Sequence, residues 1–151
     1  MHITFVCTGN ICRSPMAERI VADVIEREGL ADHVRVSSAG TGGWHVGDPA
    51  DHRTVATLRR HGYSTTHRAE QVNGDHLSAD LIVALDRGHA KELRKRGADP
   101  DRLRLLRSFE PDAEGEDVAD PYYGDMSDFE EVRQQIEAAL PGLVAWIREN
   151  M

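Results

Sequence analysis

The sequence predicts an α/β protein in which parallel strands form one sheet with helices on both faces. Three observations carry this. The runs Ile3-Thr4-Phe5-Val6 and Leu81-Ile82-Val83-Ala84-Leu85 read as buried strands. Stretches of helical periodicity follow them, so strands and helices alternate, which specifies a parallel sheet. Between the first strand and the first helix lie Cys7, Thr8, Gly9, Asn10, Ile11, Cys12, Arg13 and Ser14, a compact turn at the carboxyl end of a strand.

Taken in order, the first helix is expected from Pro15 through Ile25, with Ser14 as its N-cap and Pro15 at its first position. Ile20, Val21, Val24 and Ile25 form its apolar stripe, and it ends near Gly29. Val34 to Ser37 alternates as a second strand, and Gly40 to Gly47 is a glycine-rich loop carrying Trp44. A helix begins at Asp51 or His52, runs through Leu58 and stops at Gly62. His67-Arg68-Ala69 lies in a connecting stretch. After Leu81–Leu85, Asp86 ends the third strand, and a helix from about Gly88 to Arg96 stops at Gly97. Leu103 to Leu106 makes a fourth strand. The polar segment Ser108 to Ser127 is a long loop, and loops of that length in compact domains tend to be functional or disordered. Its Tyr122-Tyr123 pair favours function, since disordered acidic loops are poor in aromatics. Ser127 and Glu130 read as a capping box opening the last helix. Val132, Ile136, Ala139, Leu140, Leu143, Val144 and Ile147 form its stripe, with a kink or break expected at Pro141-Gly142. No repeat or linker divides the chain, so residues 1–151 are expected to form one domain.

A net charge of −8 argues against nucleic acid or an anionic membrane as the main partner. Two cysteines five residues apart make no disulfide framework, and no apolar run is long enough to span a bilayer. With the first strand at residue 2 there is no room for a signal peptide, so the expected compartment is the cytoplasm. The histidines at 2, 33, 45, 52, 61, 76 and 89 show no zinc-ligand spacing.

The turn after the first strand is where chemistry is expected. Converging N–H groups and a helix N-terminus make an anion site. A thiol at Cys7 facing them and the Arg13 guanidinium is favoured as thiolate. Arg13 presents a fork of donors suited to a phosphoryl group. Gly9 allows close backbone approach, and Asn10 tolerates the left-handed conformation a tight cup needs.

Cys7 to Pro15, C-T-G-N-I-C-R-S-P, resembles the phosphate loop of the low-molecular-weight protein tyrosine phosphatases. Ser37-Ser38-Ala39-Gly40-Thr41, Trp44-His45-Val46-Gly47 and Asp120-Pro121-Tyr122-Tyr123-Gly124 match that family in order, so the resemblance spans essentially the whole chain. It implies strand order 2-1-3-4 and hydrolysis of phosphotyrosine through a phosphocysteine. Cys7 would be the nucleophile, Arg13 the phosphate binder and Asp120 the general acid and base. Thr8, Gly9, Asn10, Cys12 and Ser14 would cradle the phosphate, while Ile11, Trp44, Tyr122 and Tyr123 would line the substrate cleft. Ser38 and His67 would prop the loop together with Asn10 and Ser14, and Asp86 would orient Arg13. The resemblance implies no metal or other cofactor, and a monomer is expected. Expected partners are phosphotyrosine proteins, inorganic phosphate as product, and a tyrosine kinase acting on Tyr122 or Tyr123. His89 stands where family members often carry Asn, and Leu85 where many carry Met; neither change is expected to touch the chemistry. An arsenate reductase of the same fold would need further cysteines, and a non-catalytic phosphate-binding module would lack the nucleophile or the acid. Secretion by an unorthodox route leaves no mark in the sequence.

Overall fold

The computed structural model describes residues 1–151. Four parallel strands, β1 (His2–Cys7), β2 (Arg35–Gly40), β3 (Leu81–Ala84) and β4 (Leu103–Leu105), form one sheet in the order β2-β1-β3-β4. This is the order the family resemblance implied. Helices α1 (Arg13–Arg27), α2 (His52–Arg60), α3 (Gly74–Leu77), α4 (Arg87–Lys95) and α5 (Met126–Asn150) complete the fold.

Side chains alternate across the sheet, so β1 and β3 feed two cores at once. Ile3, Phe5, Leu81 and Val83 pack with apolar residues of α1, α2 and α5 on one face. Val6, Ile82 and Ala84 pack with Ala90 and Leu93 of α4 on the other. β1 and β3 are buried along their whole length, which explains why β3 is apolar throughout and β1 nearly so, its buried His2 and Thr4 both bonded to Ser37. Chain direction from β1 leads to β2 on one side and from β3 to β4 on the other. The crevice beyond the carboxyl end of β1 therefore lies where strand order reverses, the usual place for a ligand in such sheets.

Several boundaries differ from expectation, each for a physical reason. α1 starts at Arg13 with Cys12 as N-cap, and no side chain caps it. Ser14 is therefore inside the first turn, not the cap, and its hydroxyl is committed elsewhere. β2 extends to Gly40, whose register partner is Cys7. β4 stops at Leu105, and Leu106–Phe109 turns as a 3-10 helix. α3 was not foreseen; at four residues it is too short for periodicity, and Asn73 and His76 hold it by a capping box. α5 opens on Asp125 and Asp128, not on Ser127 and Glu130, because Asp125 bonds the Ser127 N–H at 2.9 Å and Asp128 bonds back to the Asp125 N–H at 2.8 Å.

The expected break at Pro141-Gly142 is absent, and α5 runs on to Asn150. Proline forfeits one helical hydrogen bond. The helix is held across that gap by Phe129, Val132, Ile136, Ala139, Leu143 and Ile147, all buried. Gly142 has a separate purpose: a Cβ there would run into the carbonyl of Phe109, so glycine lets the 3-10 turn lie directly on α5.

Candidate active site

Between β1 and α1 the chain bends into a cup, and the carbonyls of Cys7, Thr8, Asn10, Ile11 and Cys12 are bonded to neighbouring segments. The Cys7 and Thr8 carbonyls each accept from β2's continuation, from the Thr41 and Gly42 N–H at 2.9 Å. The Asn10 carbonyl accepts from His67 Nε2 at 2.7 Å, and that of Ile11 from the Asp51 N–H at 2.8 Å. Cys12 O takes the Thr54 hydroxyl at 3.3 Å. With the carbonyls fixed outward, the loop N–H groups are left to face the cup. Asn10 makes the bend with φ of 58°, the one non-glycine residue with positive φ.

Asn10 is also the centre of the support. Its Oδ1 accepts from the Glu70 N–H at 2.9 Å, which sets the amide orientation. Its Nδ2 then donates to Ser14 Oγ at 2.7 Å and Ser38 Oγ at 3.0 Å. The Ser38 hydroxyl in turn donates to Glu18 Oε1 at 2.5 Å. Ser14 Oγ lies 2.9 Å from Cys7 Sγ. Because the Asn10 amide already donates to that oxygen, the Ser14 proton is free to point at the sulfur. His67 is held neutral by burial, which outweighs the Asn10 carbonyl and Glu18.

Arg13 is 3 % exposed and pointed by three partners. Nη1 donates to Asp86 Oδ2 and to the Val118 carbonyl, both at 2.9 Å, and Nη2 stands 3.8 Å from Asp120 Oδ2. Asp86 also caps α4, taking the His89 N–H at 2.9 Å. Its burial disfavours the charge, but the His89 N–H, the His89 ring and Arg13 outweigh that and leave its pKa lowered.

One cavity of about 270 Å³ opens onto the cup. Cys7, Gly9, Cys12 and Arg13 line its floor, and Trp44, Tyr122 and Tyr123 stand at its mouth with Asp120. Trp44 is 76 % and Tyr123 93 % exposed, so these rings hold open surface that a substrate would cover. Tyr122 and Tyr123 meet edge to face at 4.9 Å. The Cys12 thiol is pushed up to about 12, chiefly by burial and then by Asp51 and Cys7, so it stays protonated at neutral pH.

The structure thus brings Cys7, Thr8, Gly9, Ile11, Cys12, Arg13, Trp44, Asp120, Tyr122 and Tyr123 to one cavity, with Asn10, Ser14, Ser38, His67 and Asp86 behind it. Sequence reasoning missed three neighbours. His45 lines the cavity, tied to Asp48 at 3.3 Å. Glu18 ends the serine relay. His89, expected to leave the chemistry untouched, sits instead against it. Its Nδ1 accepts from the Asp86 N–H at 3.2 Å, which places the proton on Nε2. That Nε2–H donates to Thr8 Oγ1 at 2.9 Å, and Arg13 Nη2 lies 3.5 Å away. The capping-box spacing Asp86…His89 was the available signal.

The cavity thus holds a thiol and an arginine at its floor and a carboxyl group at its rim, in a cup of the size of a phosphate. The family model described as low molecular weight phosphotyrosine protein phosphatase matches residues 2–151. Low molecular weight protein-tyrosine phosphatase A of Mycobacterium tuberculosis is 60 % identical, covering 100 % of this chain and 94 % of that one. The Streptomyces coelicolor low molecular weight protein-tyrosine-phosphatase is 49 % identical over 99 % of this chain and 95 % of its own. The crystal structure of a protein tyrosine phosphatase from Entamoeba histolytica superposes with a TM-score of 0.94 at 31 % identity, covering 99 % of this chain and 98 % of that one. The chain belongs to the low-molecular-weight phosphotyrosine protein phosphatase family.

Proposed function

We propose that this protein hydrolyses phosphotyrosine in proteins, with Cys7 as nucleophile, Arg13 as phosphate binder and Asp120 as general acid and base. The Cys7 sulfur attacks phosphorus in line, forming the S–P bond as the bond to the tyrosyl oxygen breaks. Arg13 and the inward N–H groups hold the three equatorial oxygens, already oriented before charge redistributes. The departing phenolate takes the proton of Asp120. Asp120, now a carboxylate, takes a proton from the water that attacks the phosphocysteine, and the sulfur leaves as thiolate toward the Ser14 hydroxyl. The products are tyrosine and inorganic phosphate.

The observation that carries this reading is the Ser14 Oγ at 2.9 Å from Cys7 Sγ, at the foot of the one cavity that also holds Arg13 and Asp120. A buried structural cysteine has no need of a directed hydroxyl. The aromatic mouth suits an aryl ester, whose ring reaches past Trp44 while the phosphate meets the floor; a phosphoserine side chain is too short to span both. We further take the working compartment to be the cytoplasm, the protein to act as a monomer in signalling, and Tyr122 and Tyr123 to be open to a kinase. No helix is long and apolar enough to cross a membrane.

Two variants test the assignment. Cys7→Ser is expected to abolish turnover while still binding inorganic phosphate, because the N–H groups and Arg13 remain. Asp120→Asn is expected to slow the reaction by about 10²–10⁴-fold, more for poor phenolate leaving groups than for nitrophenyl phosphate. A tenth of the activity remaining in Cys7→Ser would rule out the covalent route. An equal loss across leaving groups in Asp120→Asn would remove Asp120 as the acid.

A further inference from the structure

We propose that Arg53 is the positioning residue of the acid: it clamps the Asp120 loop to the shoulder of the phosphate loop. The proposal rests on the reading of Asp120 as general acid.

The first turn of α2 is fastened to the cup. The Asp51 N–H donates to the Ile11 carbonyl at 2.8 Å, and the Thr54 hydroxyl to the Cys12 carbonyl at 3.3 Å. From this turn Arg53 grips Asp51 three times. Its backbone N–H and Nε reach Oδ1 at 2.9 and 3.0 Å, and Nη2 reaches Oδ2 at 3.0 Å. A two-pronged pairing of this kind fixes the plane of the guanidinium, which a lysine cannot reproduce. The Asp51 side chain is only 8 % exposed, so little water competes for it.

The remaining nitrogen, Nη1, leaves α2 and donates to the Gly124 carbonyl at 3.0 Å. Gly124 closes the turn that begins at Pro121, its N–H bonding the Pro121 carbonyl at 2.9 Å. The rings of Phe129 and Tyr122 lie 4.5 and 5.6 Å from the same guanidinium carbon. Arg53 therefore holds the far side of the segment that carries Asp120.

The near side has its own pin. The Val118 N–H donates to the Leu85 carbonyl, and its carbonyl accepts from Arg13, both at 2.9 Å. Between the two pins Asp120 has weak restraint. Its carboxylate takes the Tyr122 N–H at 3.1 Å and stands 3.8 Å from Arg13 Nη2. Where that carboxylic acid stands relative to Cys7 is thus set by Val118 on one side and Gly124 on the other. Arg13 belongs to the phosphate site itself. Arg53 does not line the cavity, so its influence on the reaction runs through the acid loop.

A merely structural Arg53 would affect all substrates alike, which makes leaving-group dependence the decisive readout. Turnover would be measured on aryl phosphates from nitrophenyl to unsubstituted phenyl, for wild type, Arg53→Met, Arg53→Lys, Asp120→Asn and the Arg53→Met/Asp120→Asn double variant. Arg53→Met is expected to slow the phenyl ester by about 10–100-fold, the scale of a misplaced catalytic group, and the nitrophenyl ester by about threefold or less. Adding it to Asp120→Asn should cost little more, because the group it positions is already lost. Arg53→Lys should regain part of the rate, and the affinity for inorganic phosphate should stay within about twofold of wild type. A uniform loss over all leaving groups, or one that multiplies fully with Asp120→Asn, would overturn the positioning role. Should Arg53→Met not fold, Arg53→Lys decides on the same criteria. If Asp120→Asn itself shows no leaving-group dependence, the acid assignment falls and the clamp with it. If it shows a steep dependence that the Arg53 variants lack, only the clamp falls.

Discussion

His89 makes the stability of the protein sensitive to mild acid in a way that one substitution isolates. Its side chain is 6 % exposed, and its pKa is lowered to about 4, first by burial and then by Arg13, against the opposing pull of Asp86, Asp120 and Asp117. In the unfolded chain it titrates near about 6.5. The fold therefore uses the neutral ring: Nδ1 must stay unprotonated to accept the Asp86 N–H. As pH falls, the unfolded chain takes up the proton first. This share of stability is complete above the unfolded value and is lost as pH falls toward the folded one. Between pH 7.5 and 5 the loss amounts to about 2 kcal/mol, levelling off at about 3 kcal/mol in stronger acid. That is a large part of the 5–15 kcal/mol, roughly, that holds a typical domain together. The comparison variant is His89→Gln, since glutamine at this position can also close a capping box but does not titrate. Urea unfolding of both proteins at several pH values, in buffers free of phosphate, gives the two curves. Wild type should lose about 2 kcal/mol more than the variant between pH 7.5 and 5. His2 and His67, whose pKa values are also lowered by burial, contribute to both curves and cancel. Parallel curves would refute the argument.

Three further outcomes are expected. Gly40→Ala should remain folded by circular dichroism yet lose activity by about 100-fold, because the new Cβ would stand 2.6 Å from the Thr8 carbonyl and 3.1 Å from the Asn10 nitrogen, both cup backbone; near-normal turnover would show that the cup tolerates the shift. Peroxide should inactivate the enzyme reversibly, the Cys7 sulfenic acid condensing with the Cys12 thiol to a disulfide and water, whereas Cys12→Ser should be lost permanently; sulfinic Cys7 beside free Cys12 in oxidised wild type, read by mass spectrometry, would end that idea. Kinase treatment should label Tyr123 before Tyr122, since Tyr123 is 93 % exposed while Tyr122 lies against Arg53, and should raise KM for anionic substrates by charge repulsion; a labelled enzyme with unchanged KM would contradict it.

What could be read in advance was what local sequence decides. β3 is apolar throughout and β1 mostly so because both faces are covered, and the cup shows in the run from a strand through Gly9 and Asn10 to a helix. The positions of Ser38, His67, Asp86 and Asp120 came only through likeness to a family, since each reaches the cup from 28 or more residues away along the chain. The errors share one cause. Ser14 has the chemistry of an N-cap, and Ser127 with Glu130 that of a capping box, but a competing hydrogen-bond partner claimed or displaced each. Cys7 and Asn10 took the Ser14 hydroxyl, and Asp125 with Asp128 closed the box two residues earlier. His89 was passed over although its capping-box spacing from Asp86 was visible, because that spacing marks a helix start and says nothing of Thr8 or Arg13. Only the fold reveals that it meets Thr8 and Arg13.

The same geometry answers how a chain of net charge −8 binds a dianion. Arg13 is the only Arg or Lys lining the cavity, and the Asp86 carboxylate is paired with it at 2.9 Å. Counted by side chains alone, the floor has no positive charge to spare. The attraction must come from the backbone, from N–H groups turned inward by carbonyls already bonded outward and from the N-terminus of α1, which no side chain caps. An uncapped helix start beside a substrate site is a gap that the substrate itself can fill. It follows why the outward partners, Thr41, Gly42, Asp51, Thr54 and His67, matter as much as the residues touching phosphate. Each holds a carbonyl out of the cup and so keeps a negative dipole away from the anion.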